Sequence, residues 1–239
     1  MNRALCVRTT GVVELEVVAQ SRVREMRYLQ VQGDVLVLAP HADDEVIGCG
    51  GTLARHLRGG GVASVMYITC NGAERSSEAQ NALAAIGAIR ALRLGCAEGH
   101  VELGLLCEHL AALRPALVFV PAFEDIHPDH RTTHRLLGAA LQRATALRWP
   151  VPPRVVCYEG FSPLAQVTSR ADITDYAQLK WFALGCFTTQ ERLYRLIETC
   201  QALNRYRALT GMRRAVRFAE AFQEFDVATY LQDERVHSA

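Results

Sequence analysis

Val35-Leu36-Val37-Leu38-Ala39-Pro40-His41-Ala42-Asp43-Asp44-Glu45 sets an unbroken apolar run directly against a polar cluster. An apolar run of this length reads as a strand buried on both faces. The acids behind it suit the first turn of a helix, where the dipole favours negative charge. The pattern returns at Leu117-Val118-Phe119-Val120-Pro121, with His127-Pro128-Asp129-His130 shortly after. In an open α/β sheet, ligands bind just outside the carboxyl ends of the strands. The two clusters, far apart in sequence, are therefore expected to meet at one edge of one sheet.

The surrounding chain supports that architecture. Strands are predicted at Val35–Ala39, Ala63–Thr69, Leu92–Leu94, Leu117–Val120 and Val155–Tyr158, with an edge strand over Ser169–Thr174. Helices are predicted at Val46–Leu57, Ser77–Arg90, Val101–Leu113, Thr132–Ala146, Asp175–Leu184 and Thr189–Ala208, with Arg214–Phe222 also helical. Strands alternating with helices of this length imply βαβ units. The fold class is therefore α/β: a Rossmann-like three-layer α/β/α arrangement with a mostly parallel sheet. No repeat or linker divides the 239 residues, so one domain is expected over 1–239, with an N-terminal β extension at 1–33 and a C-terminal tail at 223–239.

Composition narrows the function. The net charge is +1 and no basic block occurs, so nothing calls for nucleic acid or an acidic membrane as partner. No apolar stretch approaches a membrane span and no leader pattern opens the chain, so a cytoplasmic protein is the expectation. The eight cysteines are scattered, without a C-x-x-C pair. They read as buried free thiols, with Cys49 and Cys70 close enough to the sheet edge to sense oxidants or heavy metals. Oligomeric state does not follow from the sequence.

The clusters have bland readings. Asp43 suits an N-cap with Asp44 and Glu45 in the first turn. Pro128 suits the first position of a helix, and His127 a cap. Taken together they suit a metal. His41, Asp44 and His130 offer two nitrogens and a carboxylate, a set for Zn²⁺ with a coordination position left to water, although Fe²⁺, Co²⁺ or Mn²⁺ would also fit. Asp43 is then the candidate general base, and His127 the candidate acid or oxyanion stabiliser. Asp129 is the expected hydrogen-bond partner that raises the basicity of His127. This chemistry suits hydrolysis of an amide or ester. A nucleotide-binding scaffold lacks its G-x-G-x-x-G, and Ser162 sits in no nucleophile elbow. Gly48-x-Gly50-Gly51 reads as close packing of a helix on a strand.

Pro-His-x-Asp-Asp-Glu after the first core strand, with His-Pro-Asp-His downstream, resembles the PIG-L/LmbE family of zinc-dependent N-deacetylases. Arg75-x-x-Glu78, Asp172-Ile173-Thr174, Lys180, Gln190 and Ala219-Glu220-Ala221-Phe222 are similar to its further motifs, so the match runs from about Asp34 to Phe222. Ala42 stands where the family usually has Pro, and Thr189 where it has Ser. The resemblance implies His41, Asp44 and His130 as zinc ligands, Asp43 as base, His127 as acid or oxyanion stabiliser with Asp129 its partner, and Arg75 on the hydroxyls of a sugar. The implied substrate is a small-molecule aminosugar of the N-acetylglucosamine type or its glycoconjugate. Another N-acyl amine remains open, with Phe123, Phe161 and Leu164 available to line an apolar pocket, as does a non-catalytic binding role.

Overall fold

In the computed structural model, the described residues are 27–69, 72–87, 89–96, 103–146, 151–210, 212–213 and 215–236. Their strands are β1 (Arg27–Tyr28), β2 (Val35–Ala39), β3 (Ala63–Thr69), β4 (Arg90–Cys96), β5 (Leu117–Pro121), β6 (Arg154–Tyr158), β7 (Ser169–Asp172) and β8 (Ala219–Phe225). They form one sheet in the order β1-β7-β8-β6-β5-β2-β3-β4. Every pairing is parallel except those of β8, which runs antiparallel to both β6 and β7. From β2 the chain builds outward to β3 and β4, then returns to the other side of β2 as β5. The order therefore reverses between β2 and β5, and a crevice at such a switch point is where α/β sheets bind ligands.

Alternation along the strands feeds two cores. Val35, Val37, Ala39 and Phe119 face one side, Leu36, Leu38, Val118 and Val120 the other. The first side is covered by α1 (Asp44–Arg58), α2 (Gly72–Ile86), α5 (Ala177–Gly185) and α7 (Leu196–Leu209) through residues such as Leu53, Leu83, Leu184 and Leu196. The second is covered by α3 (Leu103–Leu113), α4 (Pro128–Ala146) and α8 (Val227–Gln232) through Leu110, Leu137 and Tyr230. This is the three-layer α/β/α arrangement expected. Gly48 and Gly51 do bring α1 close: a Cβ at Gly48 would lie 2.1 Å from the Tyr158 ring, and one at Gly51 2.8 Å from Ile173.

Several elements differ from expectation. The helix predicted over Arg214–Phe222 is replaced by β8, because Ala219-Glu220-Ala221-Phe222 alternates in period two between open partners β6 and β7, and pairing overrides helix-forming composition. The helix predicted over Thr189–Ala208 is broken into α6 (Thr188–Tyr194) and α7 by Arg195, whose φ of 51° is left-handed. The α2 helix starts earlier than Ser77 and ends at Ile86, because Gly87 at φ 153° stops it and frees Arg90 to begin β4. Strand β7 is flanked on both sides and is not an edge. Residues 223–236, expected as a tail, hold the end of β8, then α8 and a 3₁₀ turn (Glu234–Val236) whose Val236 is buried. Of the N-terminal extension, residues 1–26 lie outside the described residues, and 27–28 are β1. Among the described residues no helix is long and apolar enough to cross a membrane.

Candidate metal centre

The turn after β2 supplies the first half of the site. Pro40 is pinned by Thr69, whose backbone N–H and hydroxyl both donate to its carbonyl, at 3.0 and 2.7 Å. Asp43 holds the N-cap position of α1 at φ 142° and makes no capping bond with its side chain. A non-glycine residue at that angle is strained, and such strain gathers at functional sites. Its backbone N–H donates to Glu45 Oε2 at 3.1 Å, and Glu45 Oε1 accepts from the Tyr67 hydroxyl at 2.8 Å. Glu45 is thus a buried brace for the turn, and burial lifts its carboxyl to about 7. The Asp43 carboxylate meets Arg75 Nη2 at 3.0 Å. Burial, then the Asp44 charge, push Asp43 well above the usual carboxylate range, with Arg75 acting against them.

The turn after β5 supplies the second half. One oxygen of Asp44, Oδ2, lies 3.3 Å from His41 Nδ1 and 3.3 Å from His130 Nε2. It also accepts the His41 backbone N–H at 2.9 Å. The outer nitrogens of both rings face carboxylates: His41 Nε2 is 2.9 Å from Asp129 Oδ2, and His130 Nδ1 is 3.0 Å from Asp125 Oδ2. A metal-binding imidazole typically has its far nitrogen held in this way. Burial works against charge on all three groups, yet the carboxylates hold His130 at about 10 and raise His41, while the two imidazoles hold Asp44 far below its ordinary value. His41, His127 and His130 also bring one ring nitrogen each within 4.8 Å of one another.

Sequence reasoning placed His41, Asp43, Asp44, His127, Asp129, His130 and Arg75 together, and the structure brings them together, with two changes of partner. The Asp129 carboxylate bonds to His41. It stands 4.0 Å from His127 Nδ1, which accepts the Asp129 backbone N–H at 3.2 Å instead. His127 is consequently not raised. Burial, then its neighbours His41 and His130, lower it. Arg75 is tied to the Ala42 carbonyl at 2.7 Å and to Asp43, which places it on the candidate base as well as on the cavity wall.

A cavity of about 330 Å³ opens above these residues, lined by His41, Asp43, Arg75 and His127 and by Phe161 and Tyr194 farther out. Of the apolar residues named from sequence, Phe161 reaches it, whereas Phe123 and Leu164 are buried in the core on the second face. Cys49 is fully buried with its thiol pushed well up by burial, which removes it as a sensor, and Cys70 lies outside the described residues. Asp125 and Gly160 were missed. Asp125 accepts the His127 N–H at 3.0 Å in addition to holding His130, and a Cβ at Gly160 would meet Asp125 Oδ2 and His130 Cε1 at 2.9 Å. The one available signal was the Asp125-x-His127 spacing, which is weak in a loop.

Two imidazoles and a carboxylate thus converge at the switch point of a Rossmann-like sheet. The chain matches the PIG-L family profile, described as GlcNAc-PI de-N-acetylase, over residues 36–141. Its fold is similar to that of a conserved protein from Thermus thermophilus (TM-score 0.70, 29% identity, 80% of this chain and 94% of that one). It is also similar to GalB, the 4-carboxy-2-hydroxymuconate hydratase from Pseudomonas putida (TM-score 0.67, 20% identity, 81% and 96%). A third similar structure is the N,N'-diacetylchitobiose deacetylase from Pyrococcus horikoshii (TM-score 0.67, 21% identity, 82% and 85%).

Proposed function

We propose that this chain is a zinc-dependent N-deacetylase that removes acetyl from an N-acetylated aminosugar of the N-acetylglucosamine type or its glycoconjugate. The observation that carries the reading is the pair of ring nitrogens turned toward one oxygen of Asp44, each ring backed by a carboxylate. His130 is fully buried and neither ring nitrogen makes a well-aligned hydrogen bond: Nδ1 faces Asp125 and Nε2 faces Asp44, which leaves Nε2 able to turn a lone pair to a cation. His41 Nδ1, Asp44 Oδ2 and His130 Nε2 would hold the ion. When bound, zinc supplies Lewis acidity that makes water a better nucleophile and polarises an amide carbonyl.

The chain's own residues do the rest. Asp43, whose carboxylate is not spent on the helix, takes the proton of the attacking water, with Arg75 fixing its orientation. His127 accepts an N–H at Nδ1, so the neutral ring carries its proton on Nε2 and offers that N–H as a hydrogen bond to the developing oxyanion, keeping the proton throughout. The proton taken by Asp43 then passes to the amine nitrogen as the C–N bond breaks and acetate leaves. The fold alone does not choose this reaction, since the Pseudomonas relative is a hydratase. Buried unpaired thiols at Cys49, Cys157 and Cys200 support a reducing, cytoplasmic setting.

The test combines metal content by mass spectrometry with acetate release from N-acetylglucosamine and its conjugates, for the native protein and for Asp43→Asn. The expected result is near-stoichiometric zinc in both and a loss of about 10²–10⁴-fold in rate in the variant, the range of a general base. Iron, cobalt or manganese in its place would correct the metal. Absence of binding after each of these ions is added back would overturn the reading of the site.

A further inference from the structure

The cavity wall is graded. Leu196 and Cys200 at its floor are 8% and 4% exposed, whereas Phe161 and Tyr194 at its mouth are 51% and 50% exposed. The two rings are 5.7 Å apart and nearly perpendicular, at 81°, and Phe161 stands 5.7 Å from the His127 ring. Single exposed aromatics are ordinary on a protein surface, but these two are held in place. On the loop around Phe161, Glu159 and Arg207 form a buried ion pair with Nε 3.0 Å from Oε1, and Glu159 accepts the Leu164 N–H at 2.9 Å. The Ser162 N–H reaches Asp125 Oδ2 at 3.3 Å, so the residues flanking Phe161 are tied to the group that holds His130. Tyr194 closes α6 directly before the left-handed Arg195, and Glu191 Oε2 accepts the Ile197 N–H at 2.9 Å to cap the next helix. A strained break supported in this way ends the helix line at Tyr194, on the cavity wall.

Perpendicular rings make a corner, with one ring offering its face and the other its edge. A chair-shaped saturated ring, apolar C–H on its face and hydroxyls on its rim, fits a corner and buries its apolar side. Gln190 on the same wall offers an amide for those hydroxyls. We infer that Phe161 and Tyr194 form the platform that receives the pyranose ring of the substrate, so that the site selects a cyclic N-acyl amine over an open-chain one. The inference rests on the deacetylase reading for the reaction, while the binding it describes is measurable without turnover.

Acetate release is compared for N-acetylglucosamine and for open-chain N-acetylethanolamine, in the native protein, Phe161→Ala and Tyr194→Ala, with thermal midpoints as a folding check. Phe161→Leu, which keeps apolar bulk and loses the flat face, serves if the alanine variant does not fold. The expected result is a rise of about tenfold in KM for the sugar in Phe161→Ala, a smaller change in kcat, and a matching fall in preference for the sugar over the open-chain amide. Equal losses on both substrates, or no change on either, would overturn the platform. Saturation-transfer NMR with glucosamine reads the contact directly, and protons of one ring face should take up saturation in the native protein and lose it in Phe161→Ala. Face-selective saturation with no acetate released from any amide would sink the deacetylase reading and leave the platform standing. Acetate release without face-selective saturation would do the reverse.

Discussion

Asp43 and Asp125 show how much of this site is decided one residue at a time. Helix physics assigns Asp43 a capping role, yet at φ 142° its carboxylate turns away from the helix and onto Arg75. Asp125 is 1% exposed and ties together the His127 backbone, the His130 ring and Ser162. Burial would raise its carboxyl, but the His130 ring outweighs burial and the acid is lowered. Asp125→Asn keeps the size and removes the charge that backs the His130 ring. Loss of such a partner typically weakens metal affinity 10–100-fold, so we expect a drop of about that size in a chelator-competition titration, with the circular dichroism spectrum retained. The proposed metal ligands and the proposed base were legible as one cluster in the sequence because each lies within a few positions of a strand end. Phe161 was legible only as one of three apolar residues available to a pocket, and Asp125, Gly160 and Tyr194 were not legible at all, because loops separated by long stretches of chain bring them together, and no periodicity marks a loop.

At the scale of elements, α1 is the critical piece. Its backbone leaves helical geometry at Cys49, and a second N-terminus begins there inside the helix. Glu220 of β8 receives the Gly51 and Thr52 N–H groups at 2.9 and 2.8 Å and pairs with Lys180 Nζ at 2.7 Å, all out of contact with water. A strand from the far end of the chain thus caps the helix that presents Asp44. Removing one partner of a buried pair leaves the other charged and unsatisfied, at about 3–5 kcal/mol. Glu220→Gln should lose stability on that order in urea unfolding, and a change below about 1 kcal/mol would show that the pair does not hold the fold. The sequence marked Glu220 and Lys180 by resemblance and marked β8 as helix. Ala, Glu and Gln favour a helix in isolation, and only the vacant positions beside β6 and β7 make that segment a strand. The central parallel strands β2, β3 and β5 were legible because they are apolar or buried on both faces.

Across the whole molecule, one buried imidazole links acid stability to the loop that bears the second cluster. His134 stacks on Phe123 with centroids 4.1 Å apart, donates to the Pro121 carbonyl, and accepts the Tyr230 hydroxyl at 2.8 Å. Burial lowers it to about 4 from 6.5. As pH falls the unfolded chain takes up this proton first, so the contribution is complete above 6.5 and is lost between 6.5 and about 4. The depression corresponds to at most about 3 kcal/mol. Unfolding free energies measured from about pH 7.5 to about 4.5 should fall through that window, and His134→Gln should remove that part of the slope. An unchanged slope in the variant would assign the acid sensitivity to other groups.

The parallel pairing of β2 with β5, which matches Val35 with Leu117 and Val37 with Phe119, has a consequence for folding. A slip of one residue would displace the two clusters by about 3.3 Å and turn every side chain of one strand to the opposite face. His130 would then no longer share an oxygen of Asp44 with His41. The proposed ion would therefore be a gauge of strand alignment: during refolding, tight capture of metal would mark the moment the central strands lock in step, and a collapsed chain paired out of step would leave the cation in solution.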